Sequence, residues 1–377
     1  MAGIYIHIPF CKQACHYCDF HFSTNLRKKQ DMVSALQKEL LLRKDELKNE
    51  EVQTIYFGGG TPSVLEIGEI NEIIKTVDEN YRVIEHPEIT LEANPDDLSI
   101  KKIKELSDSP INRLSIGIQS FFDQDLKLMN RAHDAKEADL CLNEAKKYFD
   151  NISIDLIYGI PGMTNARWEE NINKALSYEL PHISSYALTV EPKTALKAFI
   201  DKGIIPNVDD EVAEEQFNIL YTLLEKEGFI NYEISNFGKE GYFSKNNTAY
   251  WKGKKYIGIG PSAHSYDGAK RGWNINNNSK YIRSIKENIL PLEEEVLSKT
   301  DRYNEYVMTA LRTIWGVSLD KIRNEFGTNY YEYLLDQSDK YMKEKLLVTE
   351  GDKLSVTKKG KFLCDGIASD LFMIKLN

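Results

Sequence analysis

The stretch YIHIPFCKQACHYCDFHF, residues 5–22, joins a short apolar segment to a loop that contains three closely spaced cysteines. The thiols follow one another at spacings of four and three positions, as Cys11, Cys15 and Cys18. The position two residues after the last cysteine holds Phe20. Because three thiolates in one loop are typical of metal or redox chemistry, this loop decides which fold class and which kind of function we expect.

Three kinds of site remain open from the spacing alone. A zinc site is usually closed by four ligands, and the fourth would have to be His7, His16 or His21. A redox-active pair needs two cysteines, which Cys15 and Cys18 would supply while leaving the first cysteine unexplained. An iron–sulfur cluster prefers thiolates, and a [4Fe–4S] cluster on three cysteines keeps one iron free of protein sulfur. Such an open iron binds a further ligand, as catalytic metals do.

The composition indicates an ordinary globular protein. Of 377 residues, 42 % are hydrophobic and 28 % are charged, and no apolar run approaches the roughly 20 residues that cross a bilayer. No secretory signal pattern is evident, so we expect a cytoplasmic protein. The net charge of −10 argues against nucleic-acid binding, which needs a basic surface. Cys141 and Cys364 lie in apolar helical contexts, and we expect buried thiols there rather than disulfide partners.

Short apolar segments alternate with longer helical patterns over residues 1–236. The predicted strands are residues 3–8, 52–57, 88–93, 113–118, 152–158 and 182–190. Helical spacing of apolar residues marks residues 30–47, 67–81 and 211–228. Repeated strand–helix units predict an α/β protein with a parallel sheet and right-handed crossovers. Periodicity does not decide between an open sheet and a curled one, but in both cases ligands bind at the carboxyl ends of the strands.

The remainder of the chain divides into two segments. Residues 237–299 are rich in Gly, Asn and aromatic residues, which predicts a long irregular connecting segment with a functional role. Residues 300–377 contain three helix-like stretches, two short apolar strands around Glu-Gly-Asp, and a last helix. This order resembles a winged-helix module. Since it has no evident basic recognition helix, we expect a docking or packing domain rather than a DNA-binding one.

The spacing C-x3-C-x2-C, with Tyr17 directly before the third cysteine, resembles the motif of the radical S-adenosylmethionine (SAM) superfamily. The resemblance implies that Cys11, Cys15 and Cys18 bind a [4Fe–4S] cluster whose open iron chelates the amino and carboxylate groups of SAM. Reduction of the cluster would then cleave SAM to methionine and a 5′-deoxyadenosyl radical. The resemblance also implies a partial (β/α)6 TIM-like barrel, followed here by the mostly helical, winged-helix-like unit.

Further motifs extend the resemblance over almost the whole chain. The segment GGGTP, residues 58–62, lets backbone groups approach a small ligand, and LEANP, IGIQSF, MNRAH and SIDLIYGIP supply polar residues after the strands. These motifs are similar to those of the oxygen-independent coproporphyrinogen III oxidase family. The positions that match SAM contacts of that family are Tyr5, Tyr17, Gly59, Gly60, Thr61, Glu92, Gln119, Arg131, Asp155 and Thr189. Arg131 is suited to pair with a carboxylate, and Asp155 to accept hydrogen bonds from ribose hydroxyls.

Two departures separate this chain from the decarboxylating enzymes of that family. The enzymes have a fourth cysteine where this chain has Phe20, and a long segment before the motif, whereas ten residues precede Cys11 here. Both departures resemble the HemW-type haem chaperone subgroup, whose members bind haem and pass it to acceptor proteins. The resemblance implies haem or porphyrin as ligand, an electron donor such as flavodoxin or ferredoxin, and a haem acceptor that can be membrane-bound. Oxidative decarboxylation of coproporphyrinogen III remains the alternative function.

The histidine that serves as the proposed haem ligand of that subgroup is replaced in this chain. The subgroup carries H-N-x-x-Y-W, but residues 246–251 here are NNTAYW, so Asn246 stands in the place of the histidine. An amide is a poor iron ligand beside imidazole. His264, in GPSAHS, is a substitute ligand or a structural histidine. We expect His7 and His21, which flank the cysteines, to orient the cluster.

Overall fold

Seven parallel strands form the centre of a 12-stranded sheet in the computed structural model, which describes residues 1–374. In chain order the strands are β1 Ala2–Ile8, β2 Val52–Gly59, β3 Val83–Ala93, β4 Arg113–Gln119, β5 Ile152–Tyr158, β6 His182–Ala187, β7 Ile230–Glu233, β8 Asn236–Gly238, β9 Lys255–Ile259, β10 His264–Tyr266, β11 Lys270–Asn274, β12 Leu292–Val296, β13 Val317–Ser318, β14 Leu347–Glu350 and β15 Lys353–Val356. The large sheet has the order β12-β11-β10-β9-β1-β2-β3-β4-β5-β6-β8-β7. The predicted parallel sheet is confirmed, since β1 to β6 are neighbours in sequence order.

Helices follow most of the parallel strands and cover their outer face. They are α1 Lys29–Leu42, α2 Ile67–Asn80, α3 Ile100–Ser107, α4 Asp123–Leu128, α5 Ala135–Ala145, α6 Asn165–Leu176, α7 Ala195–Asp201, α8 Asp210–Lys226, α9 Lys245–Trp251, α10 Asn278–Lys286, α11 Lys299–Leu311, α12 Leu319–Lys321, α13 Thr328–Lys343 and α14 Cys364–Asp370. Side chains alternate between the two faces of a strand, and on β1 the fully buried residues Ile4, Ile6 and Ile8 join the main hydrophobic core. This core fixes the sheet against the helices.

The inner face of the sheet is polar and surrounds a cavity. On β1, Tyr5 and His7 alternate with the buried isoleucines and point to this inner side. A cavity of about 820 Å³, called the central cavity below, is lined by residues of β1, β2, β3, β6, β8, β9, β10 and β11. Strands that lie far apart in the sheet order thus face one space, so the sheet curves into the partial barrel that the motif implied.

The sequence predicted an irregular connecting segment over residues 237–299, but the structure shows regular strands and helices there. We call these residues the closing segment. It holds α9, β9 to β12 and α10, and β9 pairs in parallel with β1. The strands β10, β11 and β12 continue the sheet in antiparallel pairs. Each of these four strands has three to five residues, which is too short for a clear periodicity, and the partner of β9 lies near the start of the chain. The Gly and Asn residues of this segment therefore indicated turns between short strands and not a long irregular loop.

The last part of the chain forms a second hydrophobic core. The helices α11 to α14 and the three-stranded sheet β13-β15-β14 enclose a cluster that includes Tyr303, Phe326 and Leu334. The strands β14 and β15 form the hairpin expected around Glu-Gly-Asp. Between residues 1 and 374, none of the helices combines the length and the apolar character that a membrane span requires.

Candidate functional site

The cysteine loop begins where β1 ends and is closed by its own backbone. The Cys11 N–H donates to the Ser23 carbonyl at 3.1 Å, and the Ser23 N–H donates to the Pro9 carbonyl at 3.0 Å. All three loop cysteines are free thiols and partly exposed. Burial raises the pKa of Cys11 and Cys18 to about 11, so both carry a proton until a metal displaces it. The closed backbone holds these sulfur donors at the carboxyl end of β1.

The glycine segment after β2 packs directly on the cysteine loop. The Gly60 N–H donates to the Ile8 carbonyl at 3.0 Å, and the Thr61 N–H donates to the Phe10 carbonyl at 2.7 Å. The Thr61 hydroxyl lies 3.3 Å from the Cys11 Sγ atom and donates to it. A Cβ on Gly60 would lie 2.6 Å from the Phe10 carbonyl oxygen, closer than real contacts allow. Glycine is therefore needed for the two backbones to meet.

Arg131 ties the cysteine loop to the ends of β3 and β4. Its Nη1 atom lies 3.4 Å from both the Cys15 Sγ atom and the Tyr17 hydroxyl oxygen. Its Nη2 atom donates to Asn94 Oδ1 at 2.7 Å and to the Gly117 carbonyl at 2.8 Å. The Nε atom of Arg131 is buried and has no hydrogen-bond partner within residues 1–374. Because a buried unpaired donor is costly, an anionic ligand beside the cysteines would stabilise this arrangement.

Two carboxyl groups face the inner side of the sheet. Glu92 accepts hydrogen bonds from the Tyr56 hydroxyl at 2.8 Å and from the Gly59 N–H at 3.2 Å. Burial raises the pKa of Glu92 to about 7, and burial likewise raises the pKa of Asp155 to about 6. The Ser115 hydroxyl lies 3.5 Å from Asp155 Oδ1. Both carboxyls are thus acceptors on the inner face that titrate near neutrality.

Tyr5 and His7 connect β1 to the far end of the cysteine loop. The His7 Nε2 atom donates to the His21 carbonyl at 3.0 Å, so its Nδ1 atom accepts from the Tyr5 hydroxyl at 3.2 Å. Burial lowers the pKa of His7 to about 4, which keeps the ring neutral. A Cβ on Gly59 would lie 2.4 Å from the His7 ring, so glycine is required beside it. His7 therefore orients the loop that carries the cysteines.

Gln119 and Thr189 lie in different surroundings. Gln119 ends β4 with φ 67°, in the left-handed region, and is buried. A Cβ on Gly117 would lie 2.7 Å from Gln119 Nε2 and 3.2 Å from Arg131 Nη2, which places the two side chains together. The sequence predicted Thr189 to lie on the sixth strand, and this prediction is wrong. The pairing of β6 with β5 ends at Ala187, and Thr189 is exposed in the loop beyond it.

Sequence reasoning missed two polar residues of this site. Asn94 accepts from Arg131 and donates to the Thr61 hydroxyl oxygen at 3.3 Å, so it links the guanidinium to the glycine segment. Tyr56 holds Glu92 from the neighbouring strand. A signal for Asn94 existed, because it follows Glu92 in LEANP at the same strand end. Tyr56 lies inside an apolar strand, where only the fold shows that it faces inward.

The helix α9 carries residues 246–251 at the opposite end of the central cavity. Its first two N–H groups, on Lys245 and Asn246, each donate to the Glu88 carboxylate at 3.1 Å. The Ser244 hydroxyl caps the helix by accepting from a backbone N–H. The Asn246 Oδ1 atom accepts from the Thr54 hydroxyl at 3.1 Å. Asn246 is thus a structural contact between α9 and β2.

The donor set at the cysteine end fits an iron–sulfur cluster with a bound anionic ligand. Across residues 1–374, no three Cys, His, Asp or Glu side chains converge as ligands of one metal ion. An iron–sulfur cubane is held by cysteines that bind separate iron atoms. Beside the three thiols lie the close backbone at Gly60 and the unpaired Nε atom of Arg131. This set offers soft donors together with groups that suit a carboxylate.

A curved parallel sheet with three cysteines after its first strand and a glycine segment after its second defines a radical SAM protein. Residues 5–175 match the Radical SAM superfamily, and residues 297–363 match the HemN C-terminal domain. The chain is 34 % identical over 371 residues to "Heme chaperone HemW" of Bacillus subtilis (strain 168), covering 96 % of this chain and 97 % of that protein. It is 33 % identical over 373 residues to "Heme chaperone HemW" of Lactococcus lactis subsp. lactis (strain IL1403), with the same coverage. The chain belongs to the HemW family.

A solved structure agrees with the fold. The coproporphyrinogen III oxidase HemN from Escherichia coli superposes with a TM-score of 0.86 at 22 % identity, covering 99 % of this chain and 90 % of that chain. At this identity the match supports the architecture, including the closing segment and the second core, and leaves the activity to be argued from the site.

Proposed function

We propose that this protein is a haem chaperone that carries a [4Fe–4S] cluster and SAM. The observation that carries the proposal is the central cavity of about 820 Å³, which extends from Tyr5, Gly59 and Glu92 to α9. Sites for ligands of drug or cofactor size occupy roughly 300–1,000 Å³ and have mostly apolar and aromatic walls. Aromatic rings line the α9 end of this cavity, with Tyr250 and Trp251 among them. A planar tetrapyrrole suits such walls, in line with the name of the HemW relatives.

The proposal assigns a role to each predicted cofactor residue. The three loop cysteines would bind the cluster, which when bound supplies the electron for reductive cleavage of SAM. The backbone of Gly59, Gly60 and Thr61 would hold the amino group, and Arg131 the carboxylate. The remaining SAM contacts would come from Tyr5, Tyr17, Glu92, Gln119, Asp155 and Thr189. Thr189 would have to act from the loop after β6.

The proposal includes partners that the chemistry requires. Reduction of a cluster needs an electron donor, and we propose a flavodoxin or a ferredoxin. Haem delivery needs an acceptor protein, which can be membrane-bound. We propose that the protein works in the cytoplasm.

The test is anaerobic reconstitution of the cluster, followed by parallel haem titration and coproporphyrinogen III turnover with SAM and a reductant. We expect iron and sulfide in the reconstituted protein, a saturable haem spectrum, and no decarboxylation of the porphyrinogen. SAM binding would be measured on the same sample by calorimetry.

Other outcomes lead to other functions. Porphyrinogen turnover would establish the decarboxylating oxidase instead of the chaperone. Zinc without iron after reconstitution would remove the radical SAM mechanism. A protein with a full cluster and no haem binding would leave a radical SAM enzyme whose substrate is a different molecule.

A further inference from the structure

Two of the histidines that line the central cavity are already engaged. His7 uses both ring nitrogens, one with the Tyr5 hydroxyl and one with the His21 carbonyl. The His21 Nε2 atom lies 2.7 Å from Asn278 Oδ1 and bonds to it. Both rings therefore hold the cysteine loop in place and are poorly available to a ligand in the cavity.

Four further histidines lie away from the central cavity. His16 and His133 each bond to a backbone carbonyl. His182 is held between two hydroxyl groups inside the sheet. His86 is exposed on β3, outside the cavity. The chain has seven histidines, which leaves one to consider.

His264 differs from the other six. It is the first residue of β10, its side chain is exposed, and it lines the central cavity. Neither of its ring nitrogens has a hydrogen-bond partner among the residues up to 374. Its ring lies 6.3 Å from the ring of Trp273, which is its neighbour across the β10–β11 pair. Partial loss of solvent around the ring, and then the charge of Arg271, lower the pKa of His264, which favours the neutral imidazole that metals bind.

A buried ionic network fixes the backbone beside His264. The Arg43 guanidinium of α1 donates to the Gly258 carbonyl at 2.8 Å and to the Ser265 hydroxyl at 3.0 Å, and it pairs with Glu39. Because Ser265 points toward α1, the alternation of the strand turns His264 to the cavity side. The imidazole is therefore presented from a rigid element, as a ligand residue should be.

We propose that His264 is the residue that binds the metal ion of a tetrapyrrole in the central cavity. This inference rests on the proposed function and deepens it, because it places the metal ligand outside residues 246–251. Cationic side chains that suit the carboxylates of such a ligand line the same cavity, and they include Lys254, Arg271 and Arg312. The imidazole lines the same cavity as His7 and His21 but is not one of the cysteine donors, so it adds a ligand and takes none from the cluster.

The position that replaces the motif histidine does not offer the same chemistry. The Asn246 Oδ1 atom already accepts from Thr54, and a Cβ on Gly3 would lie 3.5 Å from it. The amide is thus packed against β1 and β2 at the α9 end. A metal ligand is available from His264 without disturbing that contact.

The experiment titrates the reconstituted full-length protein and His264→Gln with haemin and, in parallel, with metal-free protoporphyrin IX. We expect the substitution to abolish the absorption and EPR features of imidazole-ligated ferric haem and to weaken haemin binding by about tenfold or more. Binding of the metal-free porphyrin, followed by fluorescence, should change less than twofold, because it has no metal to ligate. His264→Gly with added imidazole should recover the ligated spectrum.

Matched variants separate the possible failures. His86→Gln removes an exposed histidine far from the cavity, and Asn246→Ala tests the motif position; both should keep the ligated spectrum. The inference is overturned when His264→Gln binds haemin with the wild-type spectrum and affinity. It is also overturned when the substitution weakens binding of the metal-free porphyrin as much as it weakens binding of haemin. Wild-type protein that fails to bind haemin removes the proposed function itself. Iron content and circular dichroism verify that each variant is folded.

Discussion

The cysteine loop and the closing segment border the same cavity but differ in the contacts that tolerate the least change. At the cysteine loop, backbone groups meet directly, as in the contact of Gly60 with Ile8, and added side-chain atoms have no room. Besides the pairing of β9 with β1, the closing segment is held by long, buried polar side chains from other elements, namely Glu39, Arg43 and Glu88. The cysteine loop should therefore be destabilised when side-chain atoms are added, and the closing segment when polar side-chain atoms are removed.

The largest effect is expected from the sulfur donors themselves. Cys15→Ser should abolish cluster assembly, because a serine hydroxyl is a hard ligand in place of a thiolate. Iron content and the visible absorption after anaerobic reconstitution measure this. Cys141→Ala, in a buried position on α5, is the control and should keep its iron. Equal iron in the two variants would mean that the loop does not hold the cluster.

The closing segment should show the next largest effect when its buried ion pair is broken. Glu39 and Arg43 are 0 % and 1 % exposed and lie 3.2 Å apart. Arg43→Met leaves a buried carboxylate without its cation, which costs about 3–5 kcal/mol. The free energy of unfolding in urea measures the loss. Adding Glu39→Gln should recover part of it, because the uncompensated charge is then gone.

A surface ion pair supplies the control for this prediction. The Arg82–Glu51 pair is 3.2 Å long, with side chains 65 % and 48 % exposed. Arg82→Met should change the free energy of unfolding by less than about 1 kcal/mol. If both arginine variants unfold alike, the buried network does not hold the closing segment.

The same contrast explains what the sequence predicted and what it did not. The cysteine loop and the GGGTP segment are contiguous motifs at the ends of strands, so their proximity follows from the parallel sheet. The network of the closing segment joins residues more than 200 positions apart, such as Glu39 and Gly260. On the helical pattern of α1, Glu39 and Arg43 resemble an ordinary exposed i,i+4 pair, and only the packing of β9 and β10 over them shows their burial.

A smaller effect is expected when one methyl group is added beside the cysteine loop. Gly60→Ala places a Cβ 2.6 Å from the Phe10 carbonyl oxygen and 2.7 Å from that of Ile8, both of which are backbone atoms. The strain should cost about 1–3 kcal/mol and lower the affinity for SAM. Gly68→Ala, on the exposed side of α2 where nothing lies within 4 Å, should be neutral or stabilise by up to about 1 kcal/mol. A Gly60→Ala protein as stable as Gly68→Ala would contradict the close backbone contact.

An effect of similar size concerns the protonation of Glu92, which the cysteine end holds through Tyr56 and Gly59. Burial raises its pKa from 4.5 to about 7, so the folded protein binds this proton more tightly than the unfolded chain does. Between these two values the unfolded chain releases the proton first, and the contribution of Glu92 to stability falls as the pH rises. Glu92→Gln has no proton to release. The wild type should therefore lose about 2 kcal/mol relative to Glu92→Gln between pH 5 and pH 8.

The melting temperatures of both proteins are measured at pH 5 and pH 8. The change between the two pH values in the wild type is then compared with the same change in Glu92→Gln. The hydrogen bonds that glutamine loses from Tyr56 or Gly59 shift both values alike and cancel in that difference. Glu85→Gln, an exposed carboxyl on the same strand, controls for removal of one negative charge. If the wild type instead gains stability relative to Glu92→Gln as the pH rises, the carboxyl is stabilised in its charged form. The cysteine end would then hold side-chain charge in the way the closing segment does, and the contrast between the two regions would disappear.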